Sequence, residues 1–126
     1  STAVWKGSSR EGSGTLRLGS GQFEGPYTWL SRFKEGPETN PEELIAAAHA
    51  TCYSMFLSLQ LATAGNPPSA VDTSADVTFQ PGQGITGSHL TVRAVVPGLT
   101  AEQFAAVAED AGTVIAVDGG LRRYQF

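Results

Sequence analysis

The chain has 126 residues, 40% of them hydrophobic, with one cysteine, which fits a single globular domain over 1–126 with a modest core. Eight basic against twelve acidic residues give a net charge of −4, which argues against nucleic acid or an anionic membrane as partner, since either needs a basic patch. A lone cysteine forms no internal disulfide and the opening STAVWKGSSREG has no signal-peptide layout, so the expected compartment is the reducing cytoplasm.

The first third reads as strands and turns. TAVWKG, GTLRLGSG and GPYTWLSRF are short runs with β-branched or aromatic residues, each bounded by glycine or proline. A helix start follows: Asn40 is a good N-cap, Pro41 suits the first helical position, and Glu43 falls where a capping box places its acid. Gly65 and Asn66-Pro67-Pro68 end that helix. The segment AVDTSADVTFQPGQGITGSHLTVRAVVPG reads as a hairpin turning at QPGQG, with alternation in HLTVRAVV marking a half-buried strand. Thr100 caps a second helix, with Gln103 in the capping-box position and Phe104, Val107, Ala108 and Ala111 on one stripe. TVIAVD reads as a closing strand. The order β-β-β-α-β-β-α-β, with short connections, predicts an α+β fold with antiparallel sheet.

From Leu44 to Val71 there is no Asp, Glu, Lys or Arg, so a membrane span has to be weighed. His49, Thr51, Ser54, Ser58, Gln60 and Thr63 break the run, and a buried core helix is the better reading. The helix is apolar around much of its circumference, whereas one small sheet covers one side. A second copy of the chain is the expected cover for the other, which predicts a homodimer.

Cys52 lies in this helix, about 18 Å from Asn40 at 1.5 Å per residue, beyond reach of the helix dipole. A free cysteine is most often a small buried hydrophobe. A reactive thiolate would need a cation from elsewhere in the fold, and Arg32, between Trp29 and Phe33, is the best placed of the eight basic residues. Its forked donors suit both a thiolate and a peroxide oxygen. His49, three residues before Cys52, raises a Cys-His hydrolase pair, but no third orienting residue is apparent. Zinc held by Cys52, His49 and His89 lacks a characteristic spacing.

The stretch TNPEELIAAAHATCYSM closely resembles the signature of the OsmC/Ohr family of thiol-dependent organic hydroperoxide reductases, its OsmC branch in particular. The likeness extends through AVWKG, PYTWLSRF, VDTSADVTF and VRAVVPGL, nearly the whole chain. The resemblance implies an intertwined homodimer whose antiparallel sheets wrap two central helices, with active sites at the subunit interface. It makes Cys52 the peroxidatic residue, Arg32 its activating cation and Glu42 the acid orienting that arginine. It implies an organic hydroperoxide as substrate, no resident cofactor, and an external thiol or dithiol reductant, of lipoyl type in the family. Glu42 and Cys52 are ten residues apart, about 15 Å along a helix, so the acid near each thiol either comes from the partner subunit or acts through the arginine. Trp29, Phe33, Tyr53, Met55 and Phe56 are candidates for an apolar substrate pocket, although core packing accounts for most such residues.

One departure stands out. The family's second, resolving cysteine, in a CPVS-like block at the end of the second helix, has no counterpart here. Either about ten residues are missing from the sequence between Ala111 and Thr113, or the chain is a one-cysteine form reduced directly by an outside thiol. The missing cysteine also leaves open a catalytically silent member that binds a hydrophobic small molecule.

Overall fold

The computed structural model describes residues 1–114, which divide into two compact units with a boundary between Leu44 and Ile45. In the first unit, β1 (Thr2–Lys6), β2 (Ser13–Arg17) and β3 (Glu24–Tyr27) form an antiparallel sheet in that order. Alternation on β2 turns Leu16 inward, leaving it 7% exposed. Gly14 pairs with Tyr27 across the sheet, and the phenol ring lies over it so closely that a β-carbon there would sit 2.4 Å from ring atoms. The run GPYTWLSRF is therefore only partly strand. After Tyr27 the chain turns into a 3-10 helix, Leu30–Arg32, so Arg32 sits on a tight turn and not on a strand.

Helix α1 (Pro41–Thr63) begins where the sequence predicts. Asn40 Oδ1 accepts the Glu43 amide at 2.8 Å, the forward half of a capping box. The return half differs from the expectation, because the Glu43 carboxylate accepts the Thr39 hydroxyl instead of the Asn40 amide. At the other end Asn66 N–H donates to Leu61 O and Gly65 N–H to Ala62 O, a Schellman closure made possible by Gly65 at φ +91°.

In the second unit, β4 (Ala70–Gln80) and β5 (Gly84–Val95) form the expected antiparallel hairpin. Pro81 and Gly82 occupy its turn, with Gly82 at φ +83° and Gln83 N–H donating to Gln80 O, as a type II turn requires. One sheet face packs on Tyr53, Leu57 and Leu61 of α1 and on Ala111, Phe104, Val107 and Ala108 of α2 (Ala101–Val114). Leu57 and Leu61 are 0% exposed, each contributing about 1.5–3 kcal/mol through burial. The stripe expected on α2 thus faces the core. Its capping box is complete, Thr100 Oγ1 accepting from Gln103 N–H and Gln103 Oε1 from Thr100 N–H.

The α+β class with antiparallel sheets is as the sequence predicts. The closing strand is not where it was expected to begin: Thr113 and Val114 belong to α2, whose backbone runs unbroken through Ala111, and Ile115–Asp118 lie outside the described residues. By length and composition α1 could cross a bilayer, a test that soluble core helices also pass. Here its stripe of Tyr53, Leu57 and Leu61 packs on sheet and helix.

Candidate active site

The 3-10 turn that carries Arg32 is held by hydroxyls and amides from both sides. Thr28 Oγ1 accepts the Ser31 amide at 3.3 Å and donates to Glu38 at 2.6 Å. The Ser31 hydroxyl is 2.7 Å from Thr28 O and 2.8 Å from Thr39 O. From the start of α1, Asn40 Nδ2 donates to Ser31 O at 2.8 Å. Ser31 and Thr39 are buried.

This network brings together two of the sequence candidates. Arg32 Nε lies 3.3 Å from Glu42 Oε1, with the arginine side chain 29% exposed and the glutamate side chain 10%. Glu42 is the second residue of α1, where the helix dipole favours an anion. Its other oxygen, Oε2, is buried with no hydrogen-bond partner among the described residues. A carboxylate so placed is a poor stabilising device, since desolvation offsets much of the attraction to its partner. Beside the pair is a cavity of about 200 Å³ lined by Trp5, Tyr27, Trp29, Pro41 and Arg32. Trp5 and Tyr27 rings stand 5.4 Å apart and Arg10 lies 5.4 Å over the Trp29 ring, so the walls are aromatic and mutually braced.

In the second unit Cys52 is exposed, which corrects the buried-hydrophobe reading. It belongs to a run of exposed residues on α1, namely Ala48, Cys52, Met55, Leu59 and Ala62, at alternating spacings of four and three. Met55 is 76% exposed and Leu59 58%.

His49 points the other way. It is 4% exposed, and its Nδ1 lies 2.8 Å from Ser88 Oγ. Burial lowers its pKa below the ordinary 6.5. A buried, hydrogen-bonded imidazole beside an exposed thiol does not make a Cys-His pair. The zinc reading falls with it, because His89 alternates to the opposite face of β5 from Ser88, and no cluster of three metal-ligating side chains occurs among the described residues.

The pocket candidates divide. Trp29 lines the cavity with Arg32 and packs on Phe33, ring centroids 4.8 Å apart. Tyr53 is core, its hydroxyl donating to Ala108 O at 2.8 Å, and Phe56 packs against the same cluster. The sequence reading missed Ser31, Thr39 and the second role of Asn40. These are small polar residues in the turn and just before α1, and no periodicity marks them.

A model of the OsmC-like protein family matches residues 34–114. The Peroxiredoxin OsmC of Escherichia coli (strain K12) is 42% identical over 113 residues, 86% of this chain and 79% of that protein. The chain belongs to the OsmC-like family. The Peroxiredoxin OsmC of Shigella flexneri matches to the same extent. Among solved structures, an organic hydroperoxide resistance protein from Elizabethkingia anophelis is similar at a TM-score of 0.60 and 24% identity, covering 86% of this chain and 78% of that one. One from Legionella pneumophila is similar at 0.60 and 22%, covering 87% and 80%. These structures establish that the OsmC-like fold is shared.

Proposed function

We propose that this OsmC-like protein is a cysteine-based peroxidase that reduces organic hydroperoxides to alcohols, in defence against oxidative stress. The observation that carries the reading is the Arg32–Glu42 pair, a guanidinium held by a buried carboxylate beside an aromatic cavity. Membership of the family and 42% identity to a peroxiredoxin supply the reaction class.

In this reading the Cys52 thiolate attacks the distal oxygen of ROOH. The S–O bond forms as the O–O bond breaks, sulfur is oxidised by two electrons to the sulfenic acid, and the alkoxide leaves and takes a proton as the alcohol. Arg32 stabilises the thiolate and the charge growing on oxygen, and Glu42 orients Arg32. An external thiol or dithiol, of lipoyl type in keeping with the family, returns Cys52 to the thiol and releases water, with no resident cofactor.

The working form is a homodimer in the cytoplasm. The spacing of Ala48, Cys52, Met55, Leu59 and Ala62 is that of a helix-packing seam, and in a single copy it faces solvent. A second α1 laid on it would enclose Cys52.

Stopped-flow mixing with cumene hydroperoxide, followed by dimedone trapping and mass analysis, tests the reading. Wild type gains one adduct at Cys52 and Cys52→Ser gains none. A Cys52 that reacts no faster than an exposed model thiol would sink the peroxidase and favour a silent, ligand-binding member of the family.

A further inference from the structure

We propose that Asn40 is a positioning residue for the peroxidase reaction, latching the turn that carries Arg32 to the helix start that carries Glu42. The inference rests on the function proposed above and adds a residue to it.

An N-cap needs one acceptor, and Ser, Asp and Asn supply it about equally well. Asn40 does more than that. Its Oδ1 accepts the Glu43 amide at 2.8 Å while its Nδ2 donates to Ser31 O, also at 2.8 Å. The two contacts fix the orientation of the amide, since flipping it would set oxygen against oxygen and N–H against N–H. Ser31 immediately precedes Arg32, and Glu42 immediately precedes Glu43. One planar group therefore spans the two backbones from which the ion pair projects.

The rest of the network leaves part of the holding to this link. The Ser31 hydroxyl carries one proton for two carbonyls, Thr28 O and Thr39 O, and so cannot hold both fully. Within the turn, Arg32 N–H reaches Trp29 O only at 3.5 Å, a weak bond, while Phe33 N–H reaches Leu30 O at 3.0 Å. A tether from the helix start adds to these bonds by fixing the turn that bears the guanidinium relative to the residue that bears its carboxylate partner. A misplacement on the scale of 1 Å lowers rates by one to two orders of magnitude.

Two variants separate the cap from the latch. Asn40→Ser keeps a capping oxygen and removes the second arm. Asn40→Asp keeps the shape but turns an oxygen toward Ser31 O. Expected for both are a cooperative urea transition, with a midpoint slightly below wild type for Asn40→Ser and lower again for Asn40→Asp, a Cys52 oxidation rate by cumene hydroperoxide about tenfold lower, and faster hydrogen exchange at the Phe33 amide. In an Arg32→Ala background neither variant lowers the rate further, because Asn40 acts through Arg32. Wild-type exchange at Phe33 in Asn40→Ser overturns the latch, as does a tenfold loss that persists in the Arg32→Ala background. A wild-type protein that forms no peroxide-dependent sulfenic acid overturns the proposed function instead, and the exchange measurement still decides the latch.

Discussion

Arg32 and Glu42 are ten residues apart in sequence and on different elements, yet their side chains meet at 3.3 Å within one chain. The turn and the helix start are tied by Asn40, so the acid reaches the arginine of its own chain.

Removing the guanidinium is expected to lower Cys52 oxidation about 10²-fold, the typical loss for one preorganised donor. Arg32→Lys keeps the charge without the planar fork and recovers only part of the rate. Arg32→Ala also strands the buried Glu42 carboxylate, destabilising the fold by about 1–3 kcal/mol, the cost of an unsatisfied buried acceptor. The double change Arg32→Ala with Glu42→Gln regains that stability but not the rate. Stopped-flow traces beside urea titrations of the three variants distinguish the effects.

On α1, neighbouring leucines should behave differently. Leu57→Ala empties a fully enclosed position and costs about 2–5 kcal/mol, read from thermal or urea unfolding. Leu59→Asp lies on the exposed seam with Cys52, and its predicted effect is on assembly. Sedimentation velocity should find the wild type dimeric and Leu59→Asp monomeric. A wild type that sediments as a monomer at micromolar concentration would remove the interface from the proposal.

His49 gives the fold an acid-sensitive point. Burial holds its folded pKa below 6.5, so in acid the unfolded chain binds a proton that the folded chain does not. The corresponding stability is present above pH 6.5 and is lost as pH falls from there toward the folded value. His49→Gln, which keeps a hydrogen-bonding group near Ser88, should be less stable at pH 7.5 and lose less on going to pH 5.5. Urea midpoints at the two pH values measure the difference.

Tyr53 tests the other buried polar link. Tyr53→Phe removes the donor to Ala108 O while keeping the ring, at an expected cost of about 1–3 kcal/mol. Burial raises the phenol above its ordinary 10.0, so this hydrogen bond persists at any pH the protein would meet.

The elements that chain chemistry marks strongly were legible in the sequence. Asn40-Pro41 and Thr100 with Gln103 state helix starts, Pro81-Gly82 states a turn, and alternation in HLTVRAVV of β5 states a half-buried strand, because each is a local constraint on backbone or burial. The α2 stripe was legible for the same reason. The reach of α2 past Ala111 was not. Thr113 and Val114 are β-branched and read as strand, yet both lie in α2, since propensity is a weak prior that neighbouring context overrides. The Ser31–Asn40 network was illegible too, because hydrogen bonds between a turn and a helix start have no period. Cys52 and Arg32 were candidates from the residues themselves, Glu42 entered through resemblance, and Arg32 and Glu42 are seen to touch.

The crowding of Gly14 by the Tyr27 ring has a consequence for how this chain can vary. Any larger residue at 14 must evict an aromatic wall of the cavity that Arg32 also borders. Gly14→Ala is thus a remote lesion, expected to blunt substrate discrimination from the middle of a strand that carries no reactive group.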